Sequence, residues 1–203
     1  MIETPVFDLS AIAPIGSVSI GAVVVLLAEV FLTRRRRLLG REMTPSYIGA
    51  TLVLVSSVAL GIAAYTAIAN FGSCVSLEFL PGEPGVRLDR FSSYATALIA
   101  VGSLLSCWLS LQYLAELEIN HGEFYGLLLL STAGMMLLVG ATDFLVLFLG
   151  LELMSIPIYV LAGFDRRKLR SNESALKYFL VGSFASGLLL YGIALVYGVS
   201  GAL

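Results

Sequence analysis

Two acids interrupt the apolar run from Phe124 to Phe164: Asp143 and Glu152. Glu152 follows Asp143 by nine residues, about 13 Å of helix rise. An ionisable side chain near the bilayer centre costs about 2.5–3.5 kcal/mol on insertion scales, so its presence marks a pathway or a partner. An acid shut in hydrocarbon keeps its proton until a cation approaches, so such a group suits taking up and releasing one proton as a neighbour's charge changes. The plainer alternative is a side chain that hydrogen-bonds another helix. Pro157 lies five residues on and has no N–H, so the Leu153 carbonyl lacks its usual donor and the helix can bend. In hydrocarbon a freed carbonyl must find water or a side chain. Pro157 with Ser155 therefore reads as a wet helix break beside Glu152, or as a kink that serves packing alone.

A second charged group follows. Glu173 and Lys177 are four residues apart, with the acid on the N-terminal side, the better order for pairing on one helix face. Glu173 in a first helical turn would also complement the helix dipole. Lys177 is harder to explain as scaffold. It stands near a positive helix end, and only uncharged residues follow it to Leu203. Buried lysines change protonation readily, which suits a relay. Other ionisable groups have simpler roles. Asp143 reads as a helix cap, and Glu29 as a partner of Arg34 to Arg37 or a snorkelling side chain. His121 reads as a solvated loop residue, since no metal-ligand spacing surrounds it. Cys74 and Cys107 read as unpaired thiols. Gly182, Ser183, Ser186 and Gly187 read as a helix-packing face. No phosphate loop, thiolate cluster or haem-ligating pair is present, so no redox cofactor and no metal are expected on this chain.

The elements that hold these groups follow from composition. Of 203 residues, 58% are apolar and 13% charged, against about 45–50% and about 25% in soluble domains. The apolar residues lie in long uncharged runs, and about 20 such residues in a helix cross a bilayer core. Six spans can be read: Ala11 to Leu32, Tyr47 to Asn70, Phe91 to Leu114, Phe124 to Gly140, Asp143 to Phe164, and Asn172 to Tyr197. As one helix, Phe124 to Phe164 would be roughly 60 Å long, twice the hydrocarbon thickness. It must turn, and Gly140-Ala141-Thr142-Asp143 supplies a stop and a cap. Pro81-Gly82-Glu83-Pro84-Gly85 marks turns between spans two and three. The expected fold is all-α, a polytopic transmembrane helix bundle embedded in a lipid bilayer.

Basic loops set the orientation. Thr33 to Arg41 carries five arginines, and Asp165 to Arg170 carries Arg166, Arg167, Lys168 and Arg170. Four spans separate these loops, so both fall on one side, which should be cytoplasmic, with the N-terminus outside. Glu3 and Asp8, not a basic segment, precede the first apolar run, so a cleaved leader is not expected. The net charge of −2 gives no reason to expect a nucleic acid partner.

Several segments together resemble a known family. Glu123-Phe124-Tyr125 leading into Leu127-Leu128-Leu129-Leu130-Ser131, then Gly134-Met135-Met136 and Ala141-Thr142-Asp143-Phe144, are similar to the fourth helix and following turn of the antiporter-like subunits of respiratory complex I, the proton-pumping NADH-quinone oxidoreductase. Phe148 to Leu161, with Glu152, Ser155 and Pro157, resembles the fifth helix. Glu173-Ser174-Ala175-Leu176-Lys177-Tyr178-Phe179 and Tyr191 to Gly198 resemble the sixth. The likeness is specific from about Glu123 to Gly201. Earlier it is weaker and rests on span count, the basic first loop and Asp89-Arg90-Phe91.

The resemblance implies a non-redox membrane subunit of a bacterial inner-membrane translocase, working with other membrane subunits of a complex that uses NADH and quinone elsewhere. Residues 1–114 would be an N-terminal three-helix region, and residues 123–203 the start of a proton-translocating domain. Glu152 would be the fifth-helix proton switch, and Lys177 with Glu173 the charged pair of the sixth. Family members are more than twice this long and carry further relay groups in a seventh, an eighth and a twelfth helix. This chain is expected to be a fragment or a reduced relative, holding at most part of one half-channel. Two alternatives stand beside this expectation: a subunit of a multi-subunit cation/proton antiporter, and a scaffold bundle that transports nothing.

Overall fold

The computed structural model describes residues 9–39, 45–73, 77–78, 85–117, 119 and 122–201, with side chains excepted at 33–39, 45–48, 73 and 77–78. Six helices account for nearly all of it: α1 (Ala13–Leu39), α2 (Pro45–Ser73), α3 (Arg90–Glu116), α4 (Gly122–Gly140), α5 (Phe144–Ala162) and α6 (Leu169–Ser200). Each is long and apolar enough to cross a membrane. Between α2 and α3, β1 (Leu77–Glu78) pairs antiparallel with β2 (Arg87–Leu88). The six expected spans are therefore the six helices.

Local chemistry explains the boundaries. Asp89 caps α3: its carboxylate accepts from the Ser92 N–H at 2.8 Å, and the Ser92 hydroxyl accepts from the Asp89 N–H at 2.7 Å. Asp143 caps α5, accepting from the Val146 N–H at 2.7 Å, as its position after Gly140 suggested. α6 ends where Gly201 takes φ 68°, the left-handed conformation that favours glycine. Two boundaries differ from expectation. α1 does not stop at Leu32 but runs on to Leu39, so Arg34 to Arg37 extend a helix and are not a loop. Arginine is a good helix former, and cations suit a helix C-terminal end. α6 begins three residues before Asn172, at Leu169, so Glu173 lies beyond the first turn.

α4 is the centre of the bundle: half of it is buried, against 11% of α6. Its Tyr125, Leu129, Ala133 and Met136 meet Val18, Ala22 and Val25 of α1, Leu52 and Leu60 of α2, and Ala100 and Cys107 of α3 in one core. Lipid tails are as apolar as these side chains, so close backbone approach must hold the helices together. Glycines provide it. A Cβ on Gly126 would lie 2.7 Å from the Leu26 side chain of α1. One on Gly150 of α5 would lie 2.7 Å from the Leu138 backbone nitrogen of α4. α5 covers α4, and α6 packs on α5 at the rim of the bundle.

Polar ties lock both ends. At one end the Thr142 N–H donates to the Gly85 carbonyl at 2.9 Å, and the Gly85 N–H donates to the Thr142 hydroxyl at 2.7 Å. Buried Asn70 of α2 donates to the Leu88 carbonyl at 3.1 Å and to the Ser93 hydroxyl at 2.8 Å. At the other end Arg167 donates to the Leu117 carbonyl, past the end of α3, at 2.9 Å, where a cation complements the helix dipole. Arg166 lies 3.9 Å from Glu123 at the start of α4. Glu29, near the end of the α1 span, also packs against Gly122 there. The arginine-bearing end of α1 and the α5–α6 loop thus share one face of the bundle, as the even span count required.

Candidate functional site

Glu152 is the ninth of the nineteen residues of α5, so it sits at the helix midpoint. Its side chain is half-buried, and Oε1 is shut off from solvent with no hydrogen-bond partner. Among the described residues, no cation stands within ion-pair distance of it. Pro157 lies inside α5 and is buried. α5 continues through it as one helix, and beside it the Ser131 hydroxyl of α4 donates to the Met154 carbonyl at 3.1 Å. Gly134 of α4 faces Leu153 and Met154 so closely that a Cβ there would lie 2.6 Å from the Leu153 carbonyl carbon. Ser155, expected beside Pro157 in a wet break, makes no side-chain hydrogen bond among the described residues, and Ser131 brings a second hydroxyl to the same turn.

The second charged group forms as the four-residue spacing predicts. Lys177 Nζ donates to Glu173 Oε1 at 2.5 Å. The pair is not buried: the Lys177 and Glu173 side chains are 72% and 57% exposed on the open side of α6. The structure does not bring this pair to Glu152. α5 and α6 run antiparallel, with Gly163 against Ala175 and Tyr159 against Tyr178, Phe179 and Gly182. That register sets Lys177 near the level of Leu161, at least nine residues or roughly 13 Å along the helix from Glu152. A proton passing between them needs an intermediate group.

Of the expected packing face on α6, Gly182 meets Tyr159, whereas Gly187 has open space beside it. Cys107 is a free, buried thiol; Cys74 and His121 lie outside the described residues. Among the described residues no three His, Cys, Asp or Glu side chains could together hold a metal ion. Outside the spans, Asp165 holds the α5–α6 loop. It pairs with Lys168 at 3.0 Å and Arg167 at 3.5 Å. The hydrogen bond from Lys168, above all, keeps its carboxyl below the usual carboxylate range.

Sequence reasoning missed the buried hydroxyls. Ser103 of α3 and Thr132 of α4 share a hydrogen bond of 2.8 Å. Ser131 crosses to α5, and Asn70 ties α2 to the β2–α3 junction. Their signal was present in the sequence: polar side chains inside apolar runs, which need a partner in hydrocarbon. Their partners come from other helices, which spacing along one helix does not identify.

Residues 141–203 match a family described as NADH:quinone oxidoreductase/Mrp antiporter, transmembrane. NADH-quinone oxidoreductase subunit N of Trichlorobacter lovleyi is 41% identical over 96% of this chain. The chain is homologous to NADH-quinone oxidoreductase subunit N. Subunit N 1 of Sorangium cellulosum is 40% identical over 94% of the chain. The chain spans 37% of the length of both relatives. Among solved structures, a chain of respiratory complex I from Thermus thermophilus with bound aureothin superposes with a TM-score of 0.65 at 28% identity, covering 90% of this chain and 38% of that one. The six helices of this homologue, each long and apolar enough to cross a membrane, make it a multi-pass membrane protein.

Proposed function

We propose that this subunit N homologue is a membrane component of NADH-quinone oxidoreductase that takes part in proton translocation coupled to quinone reduction. The observation that carries the proposal is Glu152: a carboxyl group at the midpoint of a spanning helix, one oxygen enclosed and unpartnered, five residues before a proline inside that helix. A group in that state gains or loses a proton when a charge is brought near it. Lys177 and Glu173, on the open face of α6, are the groups through which a neighbouring subunit or further helix would alter that charge. Residues 123–203 would open the translocating unit, and residues 1–114 would support it as a three-helix region. NADH and quinone would react on other subunits. The basic face would be cytoplasmic and the N-terminus outside.

Two measurements test this. The chain should co-purify with NADH-quinone oxidoreductase activity, and Glu152→Gln should lower proton pumping while leaving assembly intact. Full pumping by an assembled Glu152→Gln complex would refute the role of the carboxyl. The matched family description also names the Mrp antiporter. A cation/proton antiporter subunit would instead show sodium-dependent proton exchange without NADH.

A further inference from the structure

We propose that Ser131 and Gly134 of α4 form a positioning clamp on α5 beside Pro157 and so set the environment of the Glu152 carboxyl. The inference rests on the reading of Glu152 as the proton-carrying group.

Hydroxyls in spanning helices commonly return their proton to their own backbone one turn back. Ser56 donates to Leu52, Ser57 to Val53, Ser106 to Gly102 and Thr132 to Leu128. Ser131 does not. Its hydroxyl crosses to α5 and donates to the Met154 carbonyl. That carbonyl lies in the turn that Pro157 weakens, because the Leu153 carbonyl has no N–H at position 157 to accept. Gly134 stands one turn along α4 from Ser131 and presses on the same two residues, Leu153 and Met154. The segment next to Glu152 is therefore held by a backbone contact and a hydrogen bond from one neighbouring helix. Without them α5 is free to bend at Pro157, and Glu152, one residue before the clamped pair, moves with it.

Among the described residues, no group forms a hydrogen bond or ion pair with this carboxyl. By register α4 brings Met136 to its level and α6 brings Gly187. The titratable groups of those helices lie elsewhere: Glu123 and Tyr125 at the start of α4, Arg170, Glu173, Lys177 and Tyr178 toward the start of α6, and Tyr191 and Tyr197 on exposed parts of α6.

The test is infrared spectroscopy of the full chain in lipid nanodiscs. The Glu152 carboxyl band is assigned by its loss in Glu152→Gln, then compared in Ser131→Ala, Ser131→Thr and Ser131→Cys. Removal of the hydroxyl in Ser131→Ala should displace or broaden the band, and Ser131→Thr should restore it. Ser131→Cys, similar in size and a weak donor, should fall between them, and it answers the question if the alanine variant does not fold. An unchanged band in the alanine or cysteine variant, or a threonine variant that fails to restore it, overturns the clamp. The proposed function fails separately: if Glu152→Gln leaves pumping intact, the relay reading is lost whatever the band does.

Discussion

Gly134→Ala tests the packing on which the Glu152 site depends. The added methyl would lie 2.6 Å from the Leu153 carbonyl carbon, short by about 0.9 Å of an ordinary carbon–carbon contact near 3.5 Å. Both sides of this contact are backbone, so no side chain can rotate away, and α4 and α5 must part. Overpacking of this kind costs about 1–3 kcal/mol. Alanine returns about 0.5–1 kcal/mol over glycine in a helix. At the middle of both ranges the net expectation is a loss of about 1.3 kcal/mol, roughly a ninefold drop in the folded-to-unfolded ratio. Gly61 of α2 has nothing within 4 Å of an added Cβ, so Gly61→Ala should be neutral or slightly stabilising. Reversible unfolding of both variants in mixed micelles, followed by circular dichroism, measures the difference. Equal stability of the two would refute the close approach of α4 and α5.

Further expectations follow from other contacts. Asp143→Ala removes the cap of α5 and should cost about 0.5–2 kcal/mol, read as a lower unfolding midpoint; no change would mean another group caps that end. In a double-mutant cycle, Ser103→Ala with Thr132→Val should show a coupling of about 0.6 kcal/mol, the average for such bonds in membranes, and zero coupling would contradict the 2.8 Å contact. Asp165 has a carboxyl lowered chiefly by Lys168, so its stabilisation is present above the unfolded value near pH 4 and fades as pH falls through the lower folded value. The protection of the residue 163–168 amides, taken as exchange relative to the unstructured rate at the same pH, should therefore fall on acidification below about pH 4, and Asp165→Asn should abolish that dependence. A labelling reagent confined to the cytoplasmic side should reach a cysteine placed at Lys168; reaction only from outside would reverse the proposed orientation.

The helices were legible in the sequence because bilayer thickness fixes the length of an apolar run. The turn at residues 141–143 was legible for the same reason: one helix from Phe124 to Phe164 would have been too long, and Asp143 was the natural cap. The end of α1 was misjudged because arginines mark a membrane boundary and yet favour continuing a helix. Glu152 was legible as a charge out of place in hydrocarbon. Its surroundings were not. Ser131 lies 21 positions before Glu152 in the chain, and Gly134 looks like any small residue until α5 is laid against it. The Glu173–Lys177 pair obeyed four-residue spacing, a local rule. Its exposure, and its distance from Glu152, depend on α6 lying at the rim, which no local rule contains.

The central claim is that the carboxyl at the middle of α5 carries a proton. It is tested most directly by the number of protons moved per NADH oxidised, measured in inner-membrane vesicles whose complex contains the Glu152→Gln chain in normal amount. The account predicts a lower ratio than in the parent vesicles. An unchanged ratio would contradict it.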